Sequence, residues 1–126
     1  MTKILVIDDK EELREIIVEI LISENFEVID ADGGHKGVKL AQKELPDLVI
    51  CDVMMPKIDG YKVLTALRQN SSTEAIPFIF LTAKATKDDL RQGMELGADD
   101  YLTKPFTANE LLRAISTRLE KHRRNH

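Results

Sequence analysis

Apolar runs alternate with helical patterns of apolar residues five times along the chain. The runs at 3–8, 48–52 and 77–82 are continuously apolar rather than alternating, which is typical of parallel strands covered by helices on both faces. Two further runs, at 27–31 and 100–103, also have strand character. The run at 27–31 is more polar, so we place it nearer an edge of the sheet.

The segments between these runs carry apolar residues at helical spacing. In the first, an apolar stripe recurs at i, i+3, i+4, i+7 and i+8, formed by Leu13, Ile16, Ile17, Ile20 and Leu21. The predicted helices span 10–25, 35–44, 61–69, 87–96 and 108–121. Strands that alternate with helices indicate right-handed crossovers and an α/β doubly wound parallel sheet.

Composition fits a single domain and narrows the class of function. The chain has 126 residues, of which 43% are hydrophobic and 32% charged. Its net charge of −4 argues against direct binding of nucleic acid, whose phosphates select basic surfaces. No apolar stretch approaches the roughly 20 residues of a membrane helix, and Cys51 is the only cysteine. These features favour a cytoplasmic protein without a membrane partner.

Polar residues that suit phosphate chemistry follow the predicted strands. Asp8 and Asp9 follow the first strand, Asp52 and Thr82 end the third and fourth, and Lys104 follows the fifth. The carboxyl ends of parallel strands share one edge of the sheet, where ligands bind. We therefore expect carboxylates, a hydroxyl and an ammonium to form one site.

Three neighbouring carboxylates repel one another unless a cation lies between them. Mg²⁺ prefers oxygen ligands and binds through one or two carboxylates, waters and a phosphate. The sequence has no His/Cys spacing typical of zinc. A carboxylate beside Mg²⁺ can also act as a nucleophile towards phosphorus and form an acyl phosphate.

The ordered set of these motifs resembles the receiver domain of bacterial two-component response regulators, in particular single-domain regulators of the chemotaxis type. The resemblance extends from about residue 2 to about residue 119. It implies a flavodoxin-like (βα)5 sandwich whose parallel strands have the order 2-1-3-4-5. It rests on four segments: Asp8-Asp9, Asp52-Val53-Met54-Met55-Pro56-Lys57-Ile58-Asp59-Gly60, Thr82-Ala83 and Lys104-Pro105-Phe106.

The resemblance also assigns a role to each site residue. Asp52 is expected to be the phosphoacceptor, and Lys104 is expected to pair with the phosphoryl group. Asp9 is expected to bind Mg²⁺ directly and Asp8 mainly through water. The backbone carbonyl of Met54 would complete the protein's share of the metal ligands.

Further expectations concern switching and lifetime. Thr82 would move to hydrogen-bond the phosphoryl group, and Tyr101 would turn inward, unless it is only a core aromatic. The peptide bond between Lys104 and Pro105 is expected to be cis. Met54 and Lys84 lie at positions that tune the phosphoryl lifetime in the family, and a bulky and a cationic side chain there predict a longer-lived phosphorylated state.

The resemblance implies partners as well. The phosphodonor would be a sensor histidine kinase or a phosphotransfer protein. A downstream protein would bind the output face, residues 88–119 from Asp88 to Leu119, and phosphorylation could also produce a homodimer. We expect a receiver domain over 1–121 and a basic tail over 122–126, which is either the end of a solvated helix or the start of a linker.

Two other functions stay open at this point. A haloacid-dehalogenase-type, Mg²⁺-dependent phosphohydrolase also uses an aspartate nucleophile at a strand end. Such enzymes need a second acid two residues later as general acid and base, where this chain has Met54. The other alternative is an interaction module that works without phosphorylation. We favour the switch, which catalyses only its own phosphorylation and dephosphorylation and is not an enzyme for an external substrate.

Overall fold

A five-stranded parallel sheet forms the centre of the protein, and its strands are ordered β2-β1-β3-β4-β5. The structure is a computed structural model that describes residues 1–83 and 86–124. The observed order confirms the expected doubly wound topology, and the more polar β2 lies at an edge as predicted. The strands are β1 (Lys3–Ile7), β2 (Glu27–Ala31), β3 (Leu48–Asp52), β4 (Phe78–Thr82) and β5 (Asp100–Thr103).

Five helices follow the strands in alternation and differ from the predicted spans mainly at their ends. The longest difference is at the last helix, which continues three residues past the predicted end at 121. The first helix stops earlier than predicted because Asn25 has a positive φ of 66°, which breaks the helical path. The helices are α1 (Glu11–Ser23), α2 (Gly34–Glu44), α3 (Gly60–Arg68), α4 (Lys87–Glu95) and α5 (Ala108–Arg124).

Each face of the sheet has its own hydrophobic core. On one face, β1, β3 and β4 pack against α1 and α5, whose buried residues are Ile17, Leu21, Leu111 and Ile115. On the other face, α2 and α3 supply Ala41, Val63, Leu64 and Leu67. Burial on both faces explains why β3 and β4 are apolar at every position before their polar last residues, Asp52 and Thr82.

The hydrogen bonding of the sheet continues into the loops at its carboxyl edge. The backbone N–H of Asp8 donates to the carbonyl of Ala31 over 3.1 Å, and that of Val53 donates to Leu81 over 3.1 Å. The N–H of Lys104 donates to the carbonyl of Thr82 over 2.7 Å. These bonds fix the first residue after three strands, so the loops at this edge have defined positions.

Across residues 1–83 and 86–124, every helix is too short or too polar to cross a lipid bilayer.

Candidate active site

Three carboxylates meet at the carboxyl edge of the sheet, and we call Asp8, Asp9 and Asp52 the acidic pocket. β1 ends at Ile7 rather than at the predicted Asp8, so both members of the acidic pair lie in the loop before α1. One carboxylate oxygen from each residue lies within 4.8 Å of the others. Asp8 is 0% exposed and Asp52 is 1% exposed, so the charges are crowded together with little solvation.

Two lysines neutralise part of this charge, and each contacts a different oxygen of Asp52. The Nζ of Lys104 lies 3.4 Å from Oδ1 of Asp52 and 3.5 Å from Oδ2 of Asp8. The Nζ of Lys10 lies 3.3 Å from Oδ2 of Asp52 and 3.6 Å from Oδ1 of Asp9. The phosphoacceptor candidate therefore lies between two ammonium groups.

The electrostatics of the pocket favour a cation. Burial raises the pKa of Asp8, and the nearby charge of Asp52 raises it further. The hydrogen bond from the N–H of Lys10, at 2.9 Å, and the charge of Lys104 lower the pKa of Asp8 but do not cancel the effect of burial. Burial lowers the pKa of Lys10, and its interactions with Asp52 and its other acidic neighbours outweigh this, so that its pKa is raised. The raised pKa of Lys10 shows that the surrounding carboxylates stabilise a positive charge, whereas the raised pKa of Asp8 reflects mainly the cost of burying its own charge.

The residues present fit a hard divalent cation. All three side chains offer carboxylate oxygens, the ligands that Mg²⁺ prefers. Among the described residues, Oδ1 of Asp9 is buried and has no hydrogen-bond donor, although it forms the ion pair with Lys10. Buried polar atoms generally have a hydrogen-bond partner or bind an ion. Met54 lies in the loop after β3 and is 51% exposed.

Gly60 fixes the loop that follows Asp52. Its N–H donates to the carbonyl of Val53 over 2.8 Å. A side chain at Gly60 would collide with the backbone carbonyl of Asp52, so glycine is required by close approach rather than only by the turn into α3. Asp59 caps this helix through a 3.0 Å bond from the N–H of Lys62.

Aromatic rings pack beside the site, below α4. Phe80 contacts three other rings, with centroid distances of 4.9 Å to Phe78, 5.2 Å to Tyr61 and 5.6 Å to Tyr101. We call these four residues the aromatic cluster. A Cβ at Gly93 of α4 would lie 3.1 Å from the ring of Phe80 and 3.3 Å from the ring of Tyr101. The missing side chain at Gly93 therefore allows α4 to lie directly on the cluster.

Two tyrosine hydroxyls join the aromatic cluster to α4. The hydroxyl of Tyr61 lies 3.3 Å from that of Tyr101 and 3.4 Å from the backbone carbonyl of Asp89. A carbonyl can only accept, so the single proton of Tyr61 is directed at Asp89, and Tyr101 then donates to Tyr61. Burial raises the pKa of Tyr61.

The structure places the remaining predicted residues as follows. Thr82 is fully buried at the end of β4, and its Cα pairs with Thr103 of β5. Tyr101 pairs with Phe80 in the same ladder and belongs to the aromatic cluster rather than to the acidic pocket. The peptide bond between Lys104 and Pro105 is cis. Lys84 lies outside the described residues.

The sequence-based prediction of this region did not include two residues, Lys10 and Tyr61. Lys10 directly follows the acidic pair, and a cation next to three converging carboxylates is a signal that could have been used. Tyr61 follows Gly60, but its contact with Tyr101 depends on how α3, α4 and β5 pack. No local pattern in the sequence reports that packing.

Together, the fold and the acidic pocket define a class: a doubly wound α/β domain with three carboxylates that could hold a cation at the carboxyl edge of its sheet. Residues 4–116 match the response regulator receiver domain family, and the chain belongs to that family. Receiver domains act in phosphorylation-dependent two-component signalling, interact with histidine kinases and bind Mg²⁺ in their active sites; they are not classical enzymes.

Similar proteins agree with this assignment. The chain is 43% identical over 121 residues to the alkaline phosphatase synthesis transcriptional regulatory protein PhoP of Bacillus subtilis, covering 94% of this chain and 50% of that protein. The chain thus spans about half the length of the curated relatives it matches.

Solved structures are similar over most of their length. Chemotaxis protein CheY4 of Vibrio cholerae has a TM-score of 0.90 at 30% identity, covering 94% of this chain and 98% of that one. The receiver domain of a sensor histidine kinase from Pseudomonas aeruginosa PAO1 has a TM-score of 0.88 at 28% identity, with the same coverage. That second structure holds a magnesium ion coordinated in its active site cleft.

Proposed function

We propose that Asp52 accepts a phosphoryl group from a phosphohistidine of a sensor histidine kinase or phosphotransfer protein. The observation that carries this proposal is a buried carboxylate, 1% exposed, with Lys104 3.4 Å from one oxygen and two further carboxylates beside it. An oxygen of Asp52 would attack phosphorus as the P–N bond to the donor imidazole breaks. The imidazole leaves with the bonding electron pair, and the acyl phosphate stays on Asp52.

The acidic pocket would hold the Mg²⁺ that this transfer needs. Asp9 and Asp52 would bind it directly, Asp8 mainly through water, and the backbone carbonyl of Met54 would add a further ligand. When bound, Mg²⁺ neutralises negative charge on the phosphoryl oxygens. Lys104 would pair with a phosphoryl oxygen, and its side chain is protected from solvent, being 17% exposed.

Phosphorylation would then change the output face. It adds about −1.5 to −2 charges at pH 7, which attract Lys104 and the hydroxyl of Thr82. As Thr82 moves, Tyr101 turns inward and α4 shifts. The two movements are coupled because Tyr101 belongs to the aromatic cluster and α4 packs on that cluster. A downstream protein, or a second copy of the chain, would bind residues 88–119 in this altered state.

The place of this receiver in a longer protein is also a proposal. PhoP of Bacillus subtilis, about twice as long as the matched region, is a transcriptional regulatory protein. We propose that the receiver comprises 1–121 and that 122–126 begin a connection to an output region. The continuation of α5 to Arg124 supports a helical connection.

Intact-protein mass spectrometry tests the phosphoacceptor. After incubation with acetyl phosphate and Mg²⁺, we expect one phosphoryl adduct on the wild-type protein. The adduct should be absent with EDTA and absent in a folded Asp52→Ala variant. Slower loss of the adduct from wild type than from Met54→Asn would support the lifetime tuning.

A folded protein that accepts phosphate neither from acetyl phosphate nor from a phosphorylated histidine kinase would contradict the proposal. An adduct that persists in Asp52→Ala would place the acceptor elsewhere. The phosphohydrolase alternative is not favoured, because Met54 stands where such an enzyme needs an acid. The interaction module would instead predict full partner binding by Asp52→Ala.

A further inference from the structure

Lys10 lies where a bound metal ion is expected, although it belongs to none of the roles assigned above. Its Nζ is 3.3 Å from Oδ2 of Asp52 and 3.6 Å from Oδ1 of Asp9. These are the two carboxylates proposed as direct ligands of Mg²⁺. One ammonium group therefore bridges the same pair of residues that a divalent cation would bridge.

The two lysines of the site differ in how firmly they are held. The side chain of Lys104 is 17% exposed and contacts Oδ1 of Asp52 together with the buried Asp8. The side chain of Lys10 is 57% exposed and contacts Oδ2 of Asp52. An exposed ammonium on a flexible stem can move into solvent at little cost. Lys10 is thus the cation that can leave while Lys104 remains.

The backbone of Lys10 stays in place when its side chain moves. Its N–H donates to Oδ1 of Asp8 over 2.9 Å, and its carbonyl accepts the first helical bond of α1, from the N–H of Arg14 at 3.0 Å. Arg14 in turn donates to the backbone carbonyl of Asp8 over 2.8 Å. Displacement of the ammonium therefore requires only side-chain rotation and leaves the loop of the acidic pair intact.

We propose that Lys10 is a built-in counter-ion that competes with Mg²⁺ for Asp9 and Asp52 and so sets the Mg²⁺ concentration at which the receiver can be phosphorylated. This inference rests on the proposed function, because it takes the acidic pocket as the metal site. In the metal-free protein Lys10 offsets the repulsion among three buried carboxylates. Mg²⁺ binding must break these ion pairs, and the displaced charge still lies near the metal.

The competition predicts two effects of opposite sign in one variant. Lys10→Met keeps an unbranched apolar stem but removes the charge. We expect its Mg²⁺ dissociation constant to fall by about two- to fivefold, the range of a partly exposed ion pair. In EDTA the same variant should unfold at a lower temperature than wild type, because its carboxylates have lost a counter-ion.

The experiment is a calorimetric Mg²⁺ titration with no phosphodonor, beside thermal unfolding in EDTA and in saturating Mg²⁺. Lys10→Arg restores the charge and should behave more like wild type than like Lys10→Met. Lys43→Met is the matched control, since it removes an exposed lysine near the end of α2, at the opposite edge of the sheet. It should leave the Mg²⁺ affinity unchanged.

The outcomes separate this inference from the proposed function. Equal Mg²⁺ affinity in wild type and Lys10→Met would overturn the competition and leave the metal site in place. Weaker Mg²⁺ binding by Lys10→Met would also overturn it. No Mg²⁺ binding by any of these proteins would contradict the metal site itself. In support, the affinity difference should shrink at high ionic strength, where charge interactions are screened.

Discussion

The acidic pocket lies at the carboxyl edge of the sheet, whereas the aromatic cluster packs along β4 and β5 beneath α4. Different forces hold the two regions together. In the pocket, Asp8 and Asp52 are buried although like charges repel, and lysines balance them only in part. In the cluster, Phe80 packs edge-on against Phe78 and Tyr61, an arrangement that aromatic rings favour, and lies tilted against Tyr101. The acidic pocket therefore destabilises the folded domain until a cation binds, whereas the aromatic cluster stabilises the folded domain.

The acidic pocket and the helix over the aromatic cluster also differ in rigidity. Asp52 ends β3, and Asp8 begins a loop that is fixed by its hydrogen bond to Ala31, so the pocket is preformed. In contrast, the only buried residue of α4 is Gly93, and the bond from Tyr61 to Asp89 is long, at 3.4 Å. A helix with so small a buried face can shift without unfolding the rest of the domain. A charge added at the rigid acidic pocket can therefore change the position of α4, which is only weakly attached.

The largest effect is expected from removing the centre of the aromatic cluster. Phe80→Ala deletes a fully buried ring that contacts three others, and changes of this kind destabilise proteins by about 3–5 kcal/mol. Urea unfolding should report this loss. Mg²⁺ affinity, measured at a temperature where the variant is folded, should change little. A large loss of Mg²⁺ affinity would contradict the separation of the two regions.

The acidic pocket should respond in the opposite direction. Asp8→Asn removes a buried charge whose pKa is raised by burial, and we expect it to stabilise the metal-free protein by on the order of 1 kcal/mol at neutral pH. Because the folded pKa of Asp8 exceeds its unfolded value, wild type gains relative stability as pH falls through the folded pKa. The advantage of Asp8→Asn should therefore shrink in acid.

Urea unfolding of wild type and Asp8→Asn in EDTA, at several pH values, measures this difference. The same substitution should weaken Mg²⁺ binding, because an amide replaces a carboxylate. A metal-free Asp8→Asn that is less stable than wild type at neutral pH would show that the interactions of the Asp8 charge with Lys104 and with the N–H of Lys10 outweigh its desolvation.

The sequence was sufficient where one local rule decided the structure. Asp52 and Thr82 end continuously apolar runs, and parallel strands must bring such ends to one edge. It was insufficient where packing decided. The position of the Lys10 ammonium depends on a side-chain conformation at the start of α1. The length of α5 could not be read from its polar last turn, where no apolar residue follows Leu119.

The smallest effect is expected at the rim of the aromatic cluster. Tyr61→Phe keeps the ring on Phe80 but removes the hydroxyl that links Tyr101 to the carbonyl of Asp89. The loss of stability should be about 0.5 kcal/mol, the lower end of the range for a single hydrogen bond, because the bond to Asp89 is long at 3.4 Å. Amide hydrogen exchange should become faster in the first turn of α4, beginning with the N–H of Leu90, and should be unchanged in α1.

Alkaline pH sharpens this last test. The pKa of Tyr61 in the folded protein is raised, so its contribution to stability is fully present below its unfolded pKa of about 10. The contribution is lost as pH rises towards the folded value. The stability of Tyr61→Phe should therefore fall less steeply than that of wild type above this pH. If both proteins show the same alkaline slope and the same exchange in α4, the hydroxyl does not connect the aromatic cluster to that helix, and coupling must pass through ring packing alone.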